Sequence, residues 1–393
     1  MHTFPIIEVH GDALQRGRQH GQAARARIAH SIATYARLFA FCGIDWATAQ
    51  TLAIGYRDVI SAFDPALMTE IEGIAEGAGR HVNEILALNA RTEILPPSYP
   101  GSPSPDWSRV TEVNAKAGVP QWAQVAGVKP GTSLAGDTGE CTSIAVSPAQ
   151  STTGHTLLAQ NWDWLGAQRT ALILLRVASP DGHRCLTLTE AGMLAKIGFN
   201  DRGFGVCLNI LRSADDGTQS GVPVHVLLRG LLNCGSVAEA KSRTQALRFG
   251  GSSNILCADL SGARAALEIS PRGLYTVDGA ASALCHTNHF IEPAAAAHQA
   301  ALAPSLSTYP RLERVEALVQ EHASKKYSPQ DLQTFLRDES AGHLSICRRP
   351  DPALAPEACI ETVASVVMDL GARAMYLAPE VPSTVDYTLV SLS

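Results

Sequence analysis

A chain of 393 residues, 46% apolar and 17% charged, has the makeup of a soluble globular protein with a large core. Its net charge of −6 gives no basic surface for nucleic acid, and no apolar run reaches the length of a membrane span. Nine cysteines, scattered singly and with no C-x-x-C pair, support neither a zinc knuckle nor a redox motif, and residues 1–8 carry no signal-peptide pattern. Reducing conditions and a cytoplasmic location are the expectation.

Ile6-Ile7-Glu8-Val9 reads as a short strand. Asp12 then caps a helix in which Leu14, Gly21, Ile28 and Tyr35 recur every seven residues and mark one apolar face. Arg16, Arg18, Arg25, Arg27 and Arg37 fall largely off that face and read as a solvated side. Further helices are expected over 46–63, closed by Asp64-Pro65, and over 66–77 and 82–92. Residues 96–138 are punctuated by prolines and glycines and read as a linker or long loop, with Trp107 and Trp122 as candidate anchors.

After Cys141 the pattern turns to strands, at 143–148, 156–164, 172–178, 184–190, 196–200 and 204–210. Asn200-Asp201-Arg202-Gly203 is a hairpin turn between the last two. Helices at 223–233 and 236–246 separate these from strands at 253–258, 265–269 and 274–277. Helices at 310–322 and 329–336 follow, the second capped by Ser328 with Pro329 at its first position. The tail returns to strand at 365–370, 374–378 and 387–392. Without long β-α-β alternation, the fold class is α+β with largely antiparallel sheets, not a doubly wound parallel sheet.

Four residues are candidates for chemistry. Cys141 stands where a polar, glycine-containing approach, Asp137-Thr138-Gly139-Glu140, enters a strand, whereas Cys185, Cys207, Cys257 and Cys285 sit in apolar runs and read as small core residues. Asp163 ends an apolar run in Asn161-Trp162-Asp163-Trp164, either as a strand-end residue or as a carboxylate near a nucleophile. Asn288 lies in His286-Thr287-Asn288-His289, where two histidines without a third ligand argue against zinc. Arg348, in Ser345-Ile346-Cys347-Arg348, is either a surface arginine or part of the site.

Taken together these pieces have a likeness. With Gly17-Arg18-Gln19-His20-Gly21, Leu88-Asn89-Ala90-Arg91-Thr92-Glu93, Cys141-Thr142, Gln160-Asn161-Trp162-Asp163, Glu190-Ala191-Gly192, Gly198-Phe199-Asn200 and Gly221-Val222-Pro223 in order, the chain resembles the acyl-coenzyme A:isopenicillin N acyltransferase family of N-terminal nucleophile hydrolases. The resemblance implies a four-layer αββα sandwich with an N-terminal helical segment, made as a precursor. Residues 1–140 would form the helical α chain and its long pre-cleavage loop, and residues 141–393 the catalytic β chain. Cys141 would attack the carbonyl of Glu140, and water would open the thioester to leave Cys141 as a new N-terminus. Its α-amine, with a reference pKa of about 7.7–8.0, would then serve as base to its own thiol. Asn288 would hold the oxyanion, Asp163 would orient the α-amine, and Arg348 would fix that carboxylate or amine.

The reaction expected is cleavage of a C–N amide bond in a small N-acyl amine or peptide-like substrate, through a Cys141 thioester, with no cofactor or metal. Acyl transfer from coenzyme A is the alternative. A papain-like Cys–His peptidase and a non-catalytic binding relative are the weaker readings. The expected partners are the small-molecule substrate and the second chain of the same precursor, in an assembly of undefined size.

Overall fold

The computed structural model describes residues 4–95, 141–279, 282–300, 307–322, 325–354, 356–357 and 359–393. Glu140, the 97–138 segment and its two tryptophans lie outside the described residues.

Two sheets lie face to face. The first has eight strands in the order β1-β4-β5-β6-β7-β8-β9-β10. These are β1 (Ile6–His10), β4 (Leu172–Ala178), β5 (Arg184–Glu190), β6 (Ile197–Asn200), β7 (Gly205–Ile210), β8 (Ser253–Ala258), β9 (Arg264–Ser270) and β10 (Gly273–Asp278). The second has six in the order β11-β2-β3-β12-β13-β14. They are β11 (Ala283–His286), β2 (Cys141–Val146), β3 (Leu157–Leu165), β12 (Ile360–Asp369), β13 (Ala374–Ala378) and β14 (Thr388–Ser391). Every pairing is antiparallel except that of β1 with β4, so the N-terminal segment is built into the first sheet.

Helices cover both outer faces. On the first sheet lie α1 (Ala13–Ala23), α2 (Arg25–Phe41), α3 (Trp46–Ile54), α4 (Arg57–Phe63), α5 (Pro65–Ala78), α6 (Val82–Asn89), α7 (Arg91–Ile94), α8 (Val224–Leu231) and α9 (Val237–Gln245). The short α10 (Pro293–Ala296) follows β11, and α11 (Thr308–His322) and α12 (Pro329–Leu336) pack on the second sheet. The described residues thus form the four layers α, β, β, α.

Strands β2 and β3 are wholly buried because a sheet covers one face and helices the other. Their alternate residues feed different cores. Ala145, Leu158, Trp162 and Trp164 point between the sheets, while Ile144, Val146, Leu157 and Ala159 meet Val315 of α11 and Leu332 and Leu336 of α12. A strand buried on both sides loses the apolar–polar alternation, so apolar residues stand on both faces of these strands.

The helix expected from Asp12 onward begins there, with the Asp12 side chain accepting from Gln15 N at 2.8 Å. It is broken at Ala24 into α1 and α2. Hydrogen bonds on either side of Ala24 survive the break, so a seven-residue pattern carries across it unseen. The 46–63 segment likewise divides around Gly55, a weak helix former. The arginine side is a correction: Arg16 is buried and pairs with Glu70 of α5 at 2.9 Å. It is buried because α1 and α5 lie nearly backbone to backbone. A Cβ on Gly17 would fall 2.2 Å from the Glu70 carbonyl oxygen, and one on Gly77 would fall 2.1 Å from that of Arg18.

Candidate active site

Cys141 is the first residue of β2 and pairs with Trp162 of β3. Directly opposed residues share a sheet face, so the thiol and the indole both look into the space between the sheets. Ser143 and Gln160, the next pair on that face, reach across to the first sheet. The Ser143 hydroxyl donates to Asn209 Oδ1 at 2.8 Å and the Gln160 amide to the Leu208 carbonyl at 2.5 Å. The head of β2 is therefore tied to β7 by side chains as well as by apolar packing.

The backbone of Cys141 is held at both polar atoms. Its N–H donates to Asn288 Oδ1 at 2.7 Å. Its carbonyl accepts from Asn209 Nδ2 at 3.0 Å and from Arg311 Nη1 at 2.8 Å. Arg311, wholly buried on α11, also donates to Thr142 Oγ1 at 2.9 Å and to Asn288 Oδ1 at 3.0 Å. Asn288 Nδ2 in turn donates to the Ile210 carbonyl at 2.9 Å. The two donors converging on Oδ1 fix which end of the Asn288 amide is oxygen. Nδ2 is therefore the end of the Asn288 amide that can donate to an oxyanion.

Asp163 follows Trp162 and so points to the opposite face of β3 from the thiol. Its Oδ1 accepts from Thr362 Oγ1 at 2.6 Å, and that hydroxyl accepts from the Arg348 backbone N–H at 2.9 Å. The Thr362 N–H returns a bond to the Arg348 carbonyl at 2.9 Å. Arg348 and Asp163 are thus joined through Thr362, across the bulge where β12 pairs with β3. Both residues are buried. The backbone N–H of Asp163 acts on the thiol side of the strand, where it favours the Cys141 thiolate.

Burial pushes the Cys141 thiol above its ordinary pKa. The ammonium of Lys196 acts against this, the Asp163 carboxylate adds to it, and hydrogen bonds from Asp163 N–H and the Gln160 side chain lower it. Lys196 itself is buried, with Nζ 4.2 Å above the Trp162 ring and 5.8 Å from that of Trp164. Burial and the charge of Arg91 bring it down to about 7, opposed by Glu190 and Cys141.

The sequence motifs Gly17–Gly21 and Leu88–Glu93 act behind this site. His20 Nε2 accepts from Gly192 N at 3.2 Å. Asn89 bonds both Gly192 O and Leu194 N at 2.9 Å. Arg91 pairs with Glu190 at 3.1 Å, and Glu93 accepts from Val224 N at the start of α8. Arg311, Asn209, Thr362 and Lys196 escaped sequence reasoning. Of these, Lys196 had a readable signal, a lone lysine inside the apolar run Met193-Leu194-Ala195-Lys196-Ile197.

Among the described residues, no group of three or more His, Cys, Asp or Glu is placed to hold a metal ion. The two histidines flanking Asn288 are engaged elsewhere. His286 Nε2 meets Glu268 Oε1 at 2.8 Å, and His289 Nδ1 meets Thr308 Oγ1 at 2.9 Å. No described helix is long and apolar enough to cross a membrane.

Two facing, largely antiparallel sheets between helical layers, with a cysteine heading a central strand, define an N-terminal nucleophile hydrolase fold. The family model for acyl-coenzyme A:6-aminopenicillanic acid acyl-transferase matches residues 150–383, more than half of the chain, and the chain belongs to that family. The acyl-coenzyme A:6-aminopenicillanic-acid-acyltransferase 40 kDa form of Emericella nidulans is 28% identical over 349 residues, 87% of this chain and 84% of that protein. Solved structures are more distant. A conjugated bile acid hydrolase mutant from Clostridium perfringens aligns at 13% identity and a TM-score of 0.44, over 64% of this chain and 92% of that one. Penicillin V acylase from Agrobacterium tumefaciens aligns at 10% identity and a TM-score of 0.38, over 64% and 86%.

Proposed function

We propose that the protein is a cysteine N-terminal nucleophile enzyme that cuts its own chain between Glu140 and Cys141 and then cleaves or transfers the acyl group of a small N-acyl amine. The observation that carries this reading is the setting of Cys141. The residue heads a central strand, its N–H and carbonyl are gripped by Asn288, Asn209 and Arg311, and its thiol faces the inter-sheet space. Side chains hold both polar atoms of this backbone and so fix the head of the strand on which the thiol stands.

In the proposed reaction the free α-amine of Cys141 takes the thiol proton, and Sγ bonds to the substrate carbonyl carbon. The oxyanion that forms lies against Asn288 Nδ2. A single donor of this kind is typically worth a factor of about 10²–10³ in rate. The C–N bond breaks as the α-ammonium returns the proton to the leaving amine. Water then opens the thioester and regenerates the thiol. Asp163, fixed through Thr362 to the Arg348 backbone, orients the α-amine, and the Arg348 guanidinium steadies the carboxylate or the amine.

Hydrolysis needs water alone as acceptor and is the favoured outcome. Membership of a family named for acyl transfer from coenzyme A supports the second reading, in which an amine takes the acyl group. The test is incubation with N-acylated 6-aminopenicillanic acid and simpler N-acyl amines, followed by mass measurement of the 141–393 chain. An acyl adduct on Cys141 that decays to free acid supports hydrolysis. Decay only when an amine is added supports transfer. Turnover undiminished in Cys141→Ala would rule the reading out.

A further inference from the structure

The cut before Cys141 poses a chemical problem that the mature reaction does not. In the uncleaved chain the nitrogen of Cys141 is an amide, and it donates to Asn288 Oδ1. It has no lone pair to accept a proton, so the base of the mature enzyme does not yet exist. Burial meanwhile disfavours the thiolate. Some other group must hold the charge on sulfur for the first attack.

We infer that Lys196 is that group: its ammonium, lying on the Trp162 ring on the same face as Cys141 Sγ, stabilises the thiolate that attacks the Glu140 carbonyl. The inference rests on Cys141 being the nucleophile and adds a positioning residue for its first reaction.

Three observations support it. Placement comes first: Cys141 and Trp162 are opposed on one sheet face, and Lys196 Nζ is 4.2 Å above that ring. The thiol and the ammonium influence each other electrostatically.

The second is the effort spent on holding the lysine. The turn that carries it is bonded at nearly every residue. His20 takes Gly192 N, Asn89 takes Gly192 O and Leu194 N, His225 Nδ1 meets Ala195 O at 3.1 Å, and Lys196 N donates to Thr187 Oγ1 at 3.2 Å. These partners come from α1, α6, α8 and β5. A side chain on a backbone fixed this firmly is aimed rather than merely accommodated.

The third is the missing counter-ion. Among the described residues no carboxylate lies within ion-pair distance of Lys196 Nζ. The nearby Glu190 is committed to Arg91, to Tyr35 OH at 2.6 Å and to Gln168 at 3.0 Å. A buried ammonium without a carboxylate gives up its proton near neutrality, hence the fall to about 7, unless an anion supports it, and the Cys141 thiolate is such an anion. Around the pair stand Arg91 of α7, which opposes the ammonium, and His225 of α8, which burial, Arg91 and Lys196 keep neutral. Glu190 of β5 favours the ammonium, and Asp163 of β3 opposes the thiolate.

In the step itself the Sγ proton leaves to water and the thiolate bonds to the Glu140 carbonyl carbon. The C–N bond then breaks as the Cys141 nitrogen gains a proton from water. A second water opens the thioester, restoring the thiol and leaving a carboxylate on Glu140. Lys196 changes no bond; it lowers the cost of the anion.

The experiment follows cleavage of freshly translated full-length chain between pH 6 and 10 in the wild type, Lys196→Met and Lys196→Arg, with circular dichroism to establish folding. The wild type should cut. Lys196→Met should cut at least tenfold more slowly at pH 7, with its rate profile displaced upward by one pH unit or more and meeting the wild type at high pH. Lys196→Arg, which keeps the charge at every pH of the range, should cut at least as fast as the wild type throughout. A folded Lys196→Met with an unchanged profile overturns the inference. So do equal losses at every pH in both variants, which mark a packing role. Should Lys196→Met not fold, a folded Lys196→Arg that fails to cut overturns it alone. A wild-type chain that never cuts refutes the Cys141 reading, and this inference with it.

Discussion

The N–H of Cys141 donates to Asn288 Oδ1 across 2.7 Å, so Asn288 grips the nitrogen that the proposed cut would free. Arg311 steadies the grip by donating to the same oxygen at 3.0 Å. The residue proposed for the substrate oxyanion thus already touches the scissile nitrogen, and the two duties fall to different atoms of one amide.

Replacing Asn288 separates those duties. Asn288→Ala should still cut its chain, because Arg311 and Asn209 keep hold of the Cys141 carbonyl. Its turnover of an N-acyl amine should fall by about 10²–10³, the usual cost of one oxyanion donor. Steady-state kinetics on the cleaved variant measure this, and wild-type turnover would refute the oxyanion role.

Arg311 should matter for stability as much as for the cut. Its guanidinium serves the Cys141 carbonyl, Thr142 and Asn288 from a wholly buried position. Arg311→Met strands these acceptors, and losses on breaking buried charged networks run to about 3–5 kcal/mol. Chemical denaturation should show a loss of that order together with slow processing. Arg311→Lys should recover part of the stability but not the three-way geometry, since a lysine lacks the planar fork.

The buried His20 gives a signed pH dependence. Burial lowers it from 6.5 to about 4, and its Nε2 accepts from Gly192 N. As pH falls below 6.5 the unfolded chain takes up this proton first, so stability is complete above that pH and is lost down to about 4. Each pH unit costs about 1.4 kcal/mol, a total near ~3 kcal/mol. His20→Gln should flatten this part of the stability–pH curve, as read by denaturation midpoints at pH 7.5, 6 and 5. An unchanged slope would contradict the assignment.

The contact of α1 with α5 should resist any side chain. Gly77→Ala places a Cβ 2.1 Å from the Arg18 carbonyl oxygen, and backbone cannot swing aside as a side chain can. The helices must separate, at a cost typical of overpacking, about 1–3 kcal/mol or more. Thermal unfolding should show the loss, with activity per folded molecule nearly intact.

What the sequence could reveal follows from how local each feature is. The helix cap at Asp12 and the turn before Gly203 depend on a few adjacent residues, and both were readable. Asp163, Asn288 and Arg348 were proposed by motif, and the fold sets each of them near the head of β2 or the end of β3. Arg311 was hidden because a buried arginine on a helix carrying Arg314, Glu313 and Glu316 looks like one more surface charge. Its bond to the Cys141 carbonyl spans 170 residues and its bond to Thr142 spans 169. Thr362 was unreadable for the same reason, being a small polar residue in a strand whose partner is 199 residues distant. Arg16 was misjudged because the glycines that let α5 approach it act by what they lack.

The central claim is tested most directly by the intact mass of the purified chain beside that of Cys141→Ala. The account predicts two fragments for the wild type, residues 1–140 and 141–393, with the mass of one water gained on cleavage, and a whole chain for Cys141→Ala. A wild-type chain that stays whole while it turns over substrate would contradict it.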